Sequence, residues 1–191
     1  LTQFIFSYGF IPAKLGEGFS PLITSIFLHG SWMHLIGNMW SLWLFGDNVE
    51  DYMGHFKFII FYLLCGILSG YVHYLSNPFS NLPTIGASGA IAGVMGAYFI
   101  LYPHSRIITF IPIFIIVPLF VRIPAVIFLF VWFANQLYYG TVYSLAHNVA
   151  GGVAWWGHIG GFLAGMFLHK IFKKRNYVPV YGEEYWPYRS K

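Results

Sequence analysis

The sequence predicts an all-α fold, a polytopic bundle of transmembrane helices, and three observations carry that reading. Of 191 residues, 58% are hydrophobic, 21% aromatic and only 8% charged. A soluble domain carries about a quarter charged residues, so this chain lacks the charge to cover a water-facing surface. The apolar residues gather into five stretches, near the ~20 residues that a helix needs to cross a bilayer. The cations gather late: Lys170, Lys173, Lys174, Arg175, Arg189 and Lys191 are six of the ten Lys and Arg.

The first expected span covers residues 22–45, and Gly46, Asp47 and Asn48 are expected to end it. The second covers 56–75 and stops at Ser76, Asn77 and Pro78. The third, 85–102, is short and stops before Pro103. Residues 107–121 are apolar but broken by Pro112 and Pro118 and flanked by Arg106 and Arg122, so they read as a membrane-hugging connection instead of a span. The fourth span starts at Pro124, a favourable first helical residue, and reaches about Tyr139. The fifth covers 149–172. Residues 1–175 then form one membrane domain and 176–191 a short cytoplasmic tail.

Orientation follows from the basic residues. The positive-inside rule puts the end of the last span in the cytoplasm. Counting back, Arg106, Arg122 and Lys57 fall on the same side, and only Lys14 falls outside. Residues 2–20 are therefore expected on the outer side, as is the 141–148 connection. A basic tail after an apolar segment is a topology signal, and no soluble basic surface with interleaved aromatics points to nucleic acid. Cys65, the lone cysteine, lies in an apolar run and reads as a core residue.

Polar side chains inside spans face the protein interior and are functional candidates. His29, His34 and His158 lie in or beside spans near the outer face, with Asn38 and Ser88. His55, His104 and His169 lie at cytoplasmic ends and are expected to be solvated. His34 and Asn38, four residues apart, share a helical face. His158, about nine residues into its span, is expected some 13 Å down, and Ser88 must sit equally deep if the two meet. Small residues crowd the spans that hold them: Gly86–Ala97 on one, and Gly157, Gly161 and Gly165 on the other. Small residues four apart let two helix backbones approach closely. All six acids fall outside the expected spans. No carboxylate then reaches His158, which leaves a Ser–His dyad instead of a triad and argues against aspartyl and H-E-x-x-H zinc proteases.

Three motifs resemble those of the rhomboid intramembrane serine proteases. His29-Gly-Ser-Trp-Met-His34-Leu-Ile-Gly-Asn38 is similar to the family's H-x-x-x-x-H-x-x-x-N span. Gly86-Ala-Ser88-Gly89 is similar to its G-x-S-G nucleophile motif, and Gly157-His158-Ile-Gly-Gly161-Phe-Leu-Ala-Gly165 to its histidine helix. The resemblance implies a rhomboid-like bundle in which Ser88 is the nucleophile and His158 the general base. It implies that His34, Asn38 and the Ser88 backbone N–H stabilise the oxyanion, with His29, Gly86 and Gly89 in support. It implies transmembrane-helix protein substrates, a lipid bilayer as surroundings, and no metal or cofactor. It further implies a multi-pass protein of a bacterial or archaeal cell membrane, with the site near the outer face.

Two features depart from the family. Members have at least six spans, which implies a further span before Leu1. Members often place a tyrosine four residues after the nucleophile, stacked on the histidine; here that residue is Ala92. What orients His158 stays open. Two other readings stand beside the protease: a catalytically inactive relative that binds membrane proteins, and a membrane protein that ligates a haem or metal through His29, His34 and His158. A mobile cap at 141–148 is one way for water to reach a site sunk in lipid.

Overall fold

The computed structural model describes residues 2–114, 117–145 and 153–174. Short pieces come first: α1 (Thr2–Tyr8), a 3-10 turn at Pro12–Glu17, α2 (Ser20–Thr24) and a second 3-10 turn at Ser25–Phe27. Pro12 and Pro21 open two of these pieces, where a missing N–H costs nothing. The first expected span therefore starts too early. The long helix α3 (Trp32–Met53) begins only after Ser31, whose hydroxyl accepts from the His34 N–H at 3.1 Å. Such a cap satisfies one of the helix's orphan donors.

α3 also ends later than expected. Gly46, Asp47 and Asn48 look like a turn, but Gly46 is buried within the helix, where a β-carbon would come 3.1 Å from Leu42. It is a packing glycine. The stop falls at Gly54, whose φ of +83° suits glycine. Asp47, Glu50 and Asp51 thus ride on the last turns of α3.

α4 (His55–Ser76) and α5 (Ser88–Leu101) follow, then strands β1 (Arg106–Phe114) and β2 (Val117–Pro124), then α6 (Ala125–Leu145) and α7 (Trp155–Phe172). The fold is mostly helical, as expected, and the two strands add a hairpin that a purely all-α reading did not include. They pair antiparallel, with Ile108 opposite Arg122, Phe110 opposite Phe120 and Pro112 opposite Pro118. The prolines exclude a helix through this stretch, and β-branched and aromatic residues favour a pleated strand. α6 carries on past Tyr139 to Leu145, so 141–145 is helix and not a loop cap; 146–148 lie outside the described residues, as does the tail at 176–191.

Among the described residues, α4 and α6 are long and apolar enough to cross a membrane, with mean hydropathies of 1.8 and 1.4. α5 has only 14 residues, about 21 Å of helix against a hydrocarbon core of about 30 Å. It is buried from Ala90 to Tyr98 and forms the axis of the bundle, packed chiefly on α7, then α4 and α3. Glycines make that packing possible. A β-carbon on Gly161 or Gly165 would run into the carbonyl oxygens of Gly89 and Gly93, and one on Gly96 into that of Phe162. α5 and α7 thus run side by side, backbone on backbone, in the same direction.

Both begin at one end of the bundle. At the other end Lys57 donates to the Lys173 carbonyl at 3.0 Å, linking α4 to the end of α7. His169, expected to be solvated, is 3% exposed there. Its Nδ1 donates to the Met166 carbonyl at 2.8 Å, which makes burial tolerable.

Candidate active site

The stretch before α5 is anchored to the N-terminal pieces by backbone hydrogen bonds. Phe10 and Thr84 exchange bonds of 3.0 and 2.7 Å, Ala13 N–H donates to Ser80 at 3.0 Å, and Gly86 N–H donates to Ser25 at 2.9 Å. Gly86 has φ +127°, in a region that side chains strain to enter. A β-carbon there would come 2.7 Å from His34 Nε2 and 3.7 Å from Asn38 Nδ2. So Gly86 turns the chain and leaves room for two polar groups from the face of α3 that the four-residue spacing predicts. Asn38 is buried at 7% exposure, and its Nδ2 has no hydrogen-bond partner among the described residues.

Ser88 is the first residue of α5. The N–H groups of a helix's first turn have no acceptor within it. His158 is the fourth residue of α7 as described, so it stands in the first turn rather than nine residues down a longer helix. The two meet with Ser88 Oγ 2.7 Å from His158 Nε2.

The direction of that bond follows from a residue the sequence reading missed. Gln136 of α6 is buried at 6% exposure. Its Nε2 donates to the Trp132 carbonyl at 3.3 Å, which turns Oε1 toward His158 Nδ1 at 2.9 Å. An amide oxygen only accepts, so Nδ1 carries the imidazole proton and donates it. The bare Nε2 then accepts from the Ser88 hydroxyl. The order Gln136–His158–Ser88 is the base–nucleophile arrangement that the chemistry of serine attack needs. Gln136 was legible as one of two adjacent amides, with Asn135, within an apolar span, the same signal that marked Asn38.

Trp132 and Trp155 flank the imidazole, with ring centroids 6.0 and 6.4 Å away. The position of the family's stacking tyrosine is filled by Ala92, which is fully buried; here α6 supplies both the ring and the hydrogen-bond acceptor that hold His158. Gly89, expected in support, packs on Ser69 of α4, where a β-carbon would collide with the hydroxyl. His29 precedes α3 and sets its ring edge-on to His34 at 5.1 Å. Burial, and then the His34 ring, lower its pKa, while a hydrogen bond to the Phe27 backbone works the other way.

No acid described hydrogen-bonds to His158. Glu50 pairs with His55 at 2.6 Å and Glu17 with Lys14 at 3.9 Å, while Glu183 and Glu184 lie outside the described residues. For the metal alternative, both ring nitrogens of His158 are already engaged. Among the described residues no three His, Cys, Asp or Glu side chains group as a metal site.

Known proteins bear on the same elements. A Rhomboid domain family model matches residues 16–175. The presenilin-associated rhomboid-like protein, mitochondrial, of Mus musculus is 36% identical over 98 residues, 50% of this chain and 26% of that protein. Rhomboid protein 1, mitochondrial, of Saccharomyces cerevisiae is 33% identical over 94 residues, 47% of this chain and 27% of its own length. A Bacillus subtilis protein provisionally named a rhomboid protease, YdcA, is 38% identical over 77 residues, 40% of this chain and 38% of that protein. The matches thus span about a quarter of the mitochondrial relatives' length. With a family match over most of the chain, joined to this bundle, the chain belongs to the rhomboid family.

Proposed function

We propose that the chain is an intramembrane serine endopeptidase that cuts transmembrane segments of membrane proteins with a Ser88–His158 dyad. The observation that carries this reading is the 2.7 Å contact between Ser88 Oγ and His158 Nε2, with Gln136 behind the imidazole. His158 takes the Ser88 proton as Oγ attacks the scissile carbonyl. The oxyanion forms beside Gly86, within reach of the Ser88 backbone N–H, the Asn38 amide and His34. Such donors act where charge develops in the transition state. His158 Nε2 then gives the proton to the leaving amine. Water, activated by the same nitrogen, hydrolyses the acyl-serine. No metal or cofactor enters these steps.

The reading includes a topology. α3 to α7 pass the membrane five times, with the start of α5 near the outer face of a bacterial or archaeal cell membrane and the end of α7 in the cytoplasm. The shortness of α5 sinks Ser88 below the outer boundary, where a substrate helix must unwind to present its backbone.

The test is Ser88→Ala. The purified variant is expected to keep its fold and lose all cleavage of a single-span substrate. A fluorophosphonate probe should label the natural protein and not the variant. Cleavage that survives the substitution would remove Ser88 as nucleophile.

A further inference from the structure

The β1–β2 hairpin presents a face that the protease reading leaves unused. Along β1, Arg106, Ile108 and Phe110 are exposed, while Ile107 between them is buried in the core. Along β2, Phe120 and Arg122 are exposed, while Val121 and Ile123 are half-buried. The alternation is that of a sheet with one face on the protein. On the outward face Ile108, Phe110 and Phe120 are 51%, 54% and 65% exposed. Phe110 and Phe120 sit opposite each other across the ladder, rings 5.6 Å apart. The arginines lie nearer the bundle, Arg122 opposite Ile108 and Arg106 opposite Pro124. A two-stranded hairpin is marginal in water on its own, and this one would hold its aromatic pair in water.

We propose that this hairpin is an anionic-lipid-binding element. It lies in the membrane interface at the end of the bundle opposite Ser88 and His158. Phe110 and Phe120 enter the acyl region, and Arg106 and Arg122 rest on headgroup phosphates. The placement follows from the chain path, because α5 starts at Ser88 and delivers the hairpin from its far end. Charge chooses the occupant. Residues 105–125 contain no Asp or Glu, so a second copy laid face to face would oppose arginine with arginine. Phosphate headgroups supply the missing anion, and long basic side chains reach them from an apolar surface. The acids at the end of α3, Asp47, Glu50 and Asp51, belong to a different element, and Glu50 is paired with His55. The proposal rests on the chain being a membrane protein and not on its being a protease.

The experiment uses the full chain with Cys65→Ala, in vesicles of phosphatidylcholine with or without phosphatidylglycerol. A nitroxide is placed on the Phe120→Cys variant, and in parallel on Ile108→Cys, with thermal unfolding as the check on folding. Oxygen is expected to reach both labels and a water-soluble nickel chelate is not, whereas a label on the exposed His104→Cys meets the chelate. Spin-labelled phosphatidylglycerol should associate in preference to the choline lipid. Replacing Arg106→Gln and Arg122→Gln should weaken that preference roughly fivefold for each arginine. Free access of the chelate to both hairpin labels would overturn the proposal. So would an unchanged lipid preference in the double variant, or dipolar broadening between labels that shows copy-to-copy pairing.

Discussion

A soluble serine protease sets an aspartate behind its histidine; this chain sets Gln136 there, 2.9 Å from Nδ1. Its oxygen is a full acceptor without a full charge. The bond strengthens when His158 becomes an imidazolium, since hydrogen bonds to charged groups are worth about 1.5–3 kcal/mol. Gln136→Leu is therefore expected to lower kcat by roughly tenfold to a hundredfold, with a correctly folded protein, as single-turnover cleavage would measure. An unchanged kcat would relegate Gln136 to packing. Asn38 poses a sharper alternative. As an oxyanion donor, its loss in Asn38→Ala costs roughly 10²–10³ in kcat, less than Ser88→Ala, with melting temperature and substrate binding near those of the natural protein. As a mere inter-helix link, worth about 0.6 kcal/mol, its loss would lower stability and leave kcat per folded molecule alone. The residue scale was partly legible. Ser88, His158, His34 and Asn38 stood out because polar groups are rare in apolar segments, and the structure brings them to one end of the bundle. Gln136 carried the same signal but no motif to frame it, and Trp132 was one aromatic among many.

The α5–α7 contact is the element on which the geometry depends. Ser88 and His158 stand in the first turns of two parallel helices, so their separation is set by the register of the glycine seam. Gly165→Ala would drive a methyl into the Gly93 carbonyl, a backbone atom that cannot rotate away. Overpacking of this kind costs typically 1–3 kcal/mol, and a backbone clash belongs at the upper end. The expected outcome is a marked fall in melting temperature together with loss of probe labelling at Ser88. Gly37→Ala is the control, for nothing lies within 4 Å of a β-carbon there, and the change should leave both unmoved or stability slightly raised. The seam was readable because a four-residue spacing maps onto one helical face. The hairpin was not, because an apolar run with two prolines fixes where a helix cannot be, not what replaces it.

Over the whole molecule, five spans were anticipated; among the described residues two helices, α4 and α6, are long and apolar enough to cross a membrane, and the helix ends moved. The start of α3 shifted from residue 22 to Trp32 and its end to Met53. Hydropathy cannot separate a span from the short apolar helices that lead into it, and a buried glycine resembles a turn until its neighbours are known. The brace that ties Phe10 and Ala13 to the stretch before Ser88 was also illegible, since it joins residues some seventy positions apart through backbone groups that carry no sequence.

One consequence of Gln136 concerns how the protein is made. α6 is one of the two described helices apolar enough to cross a membrane, and it must be handed from the translocation machinery into lipid before its partners pack. An aspartate at the middle of a span opposes that step by about 3 kcal/mol. An uncharged amide opposes it far less. With serine, imidazole and amide side chains, the proposed site contains no group that must carry a permanent charge into the bilayer. The helix that holds the histidine can thus be inserted first as ordinary lipid-soluble cargo, and the proposed site is assembled only when the bundle closes around it.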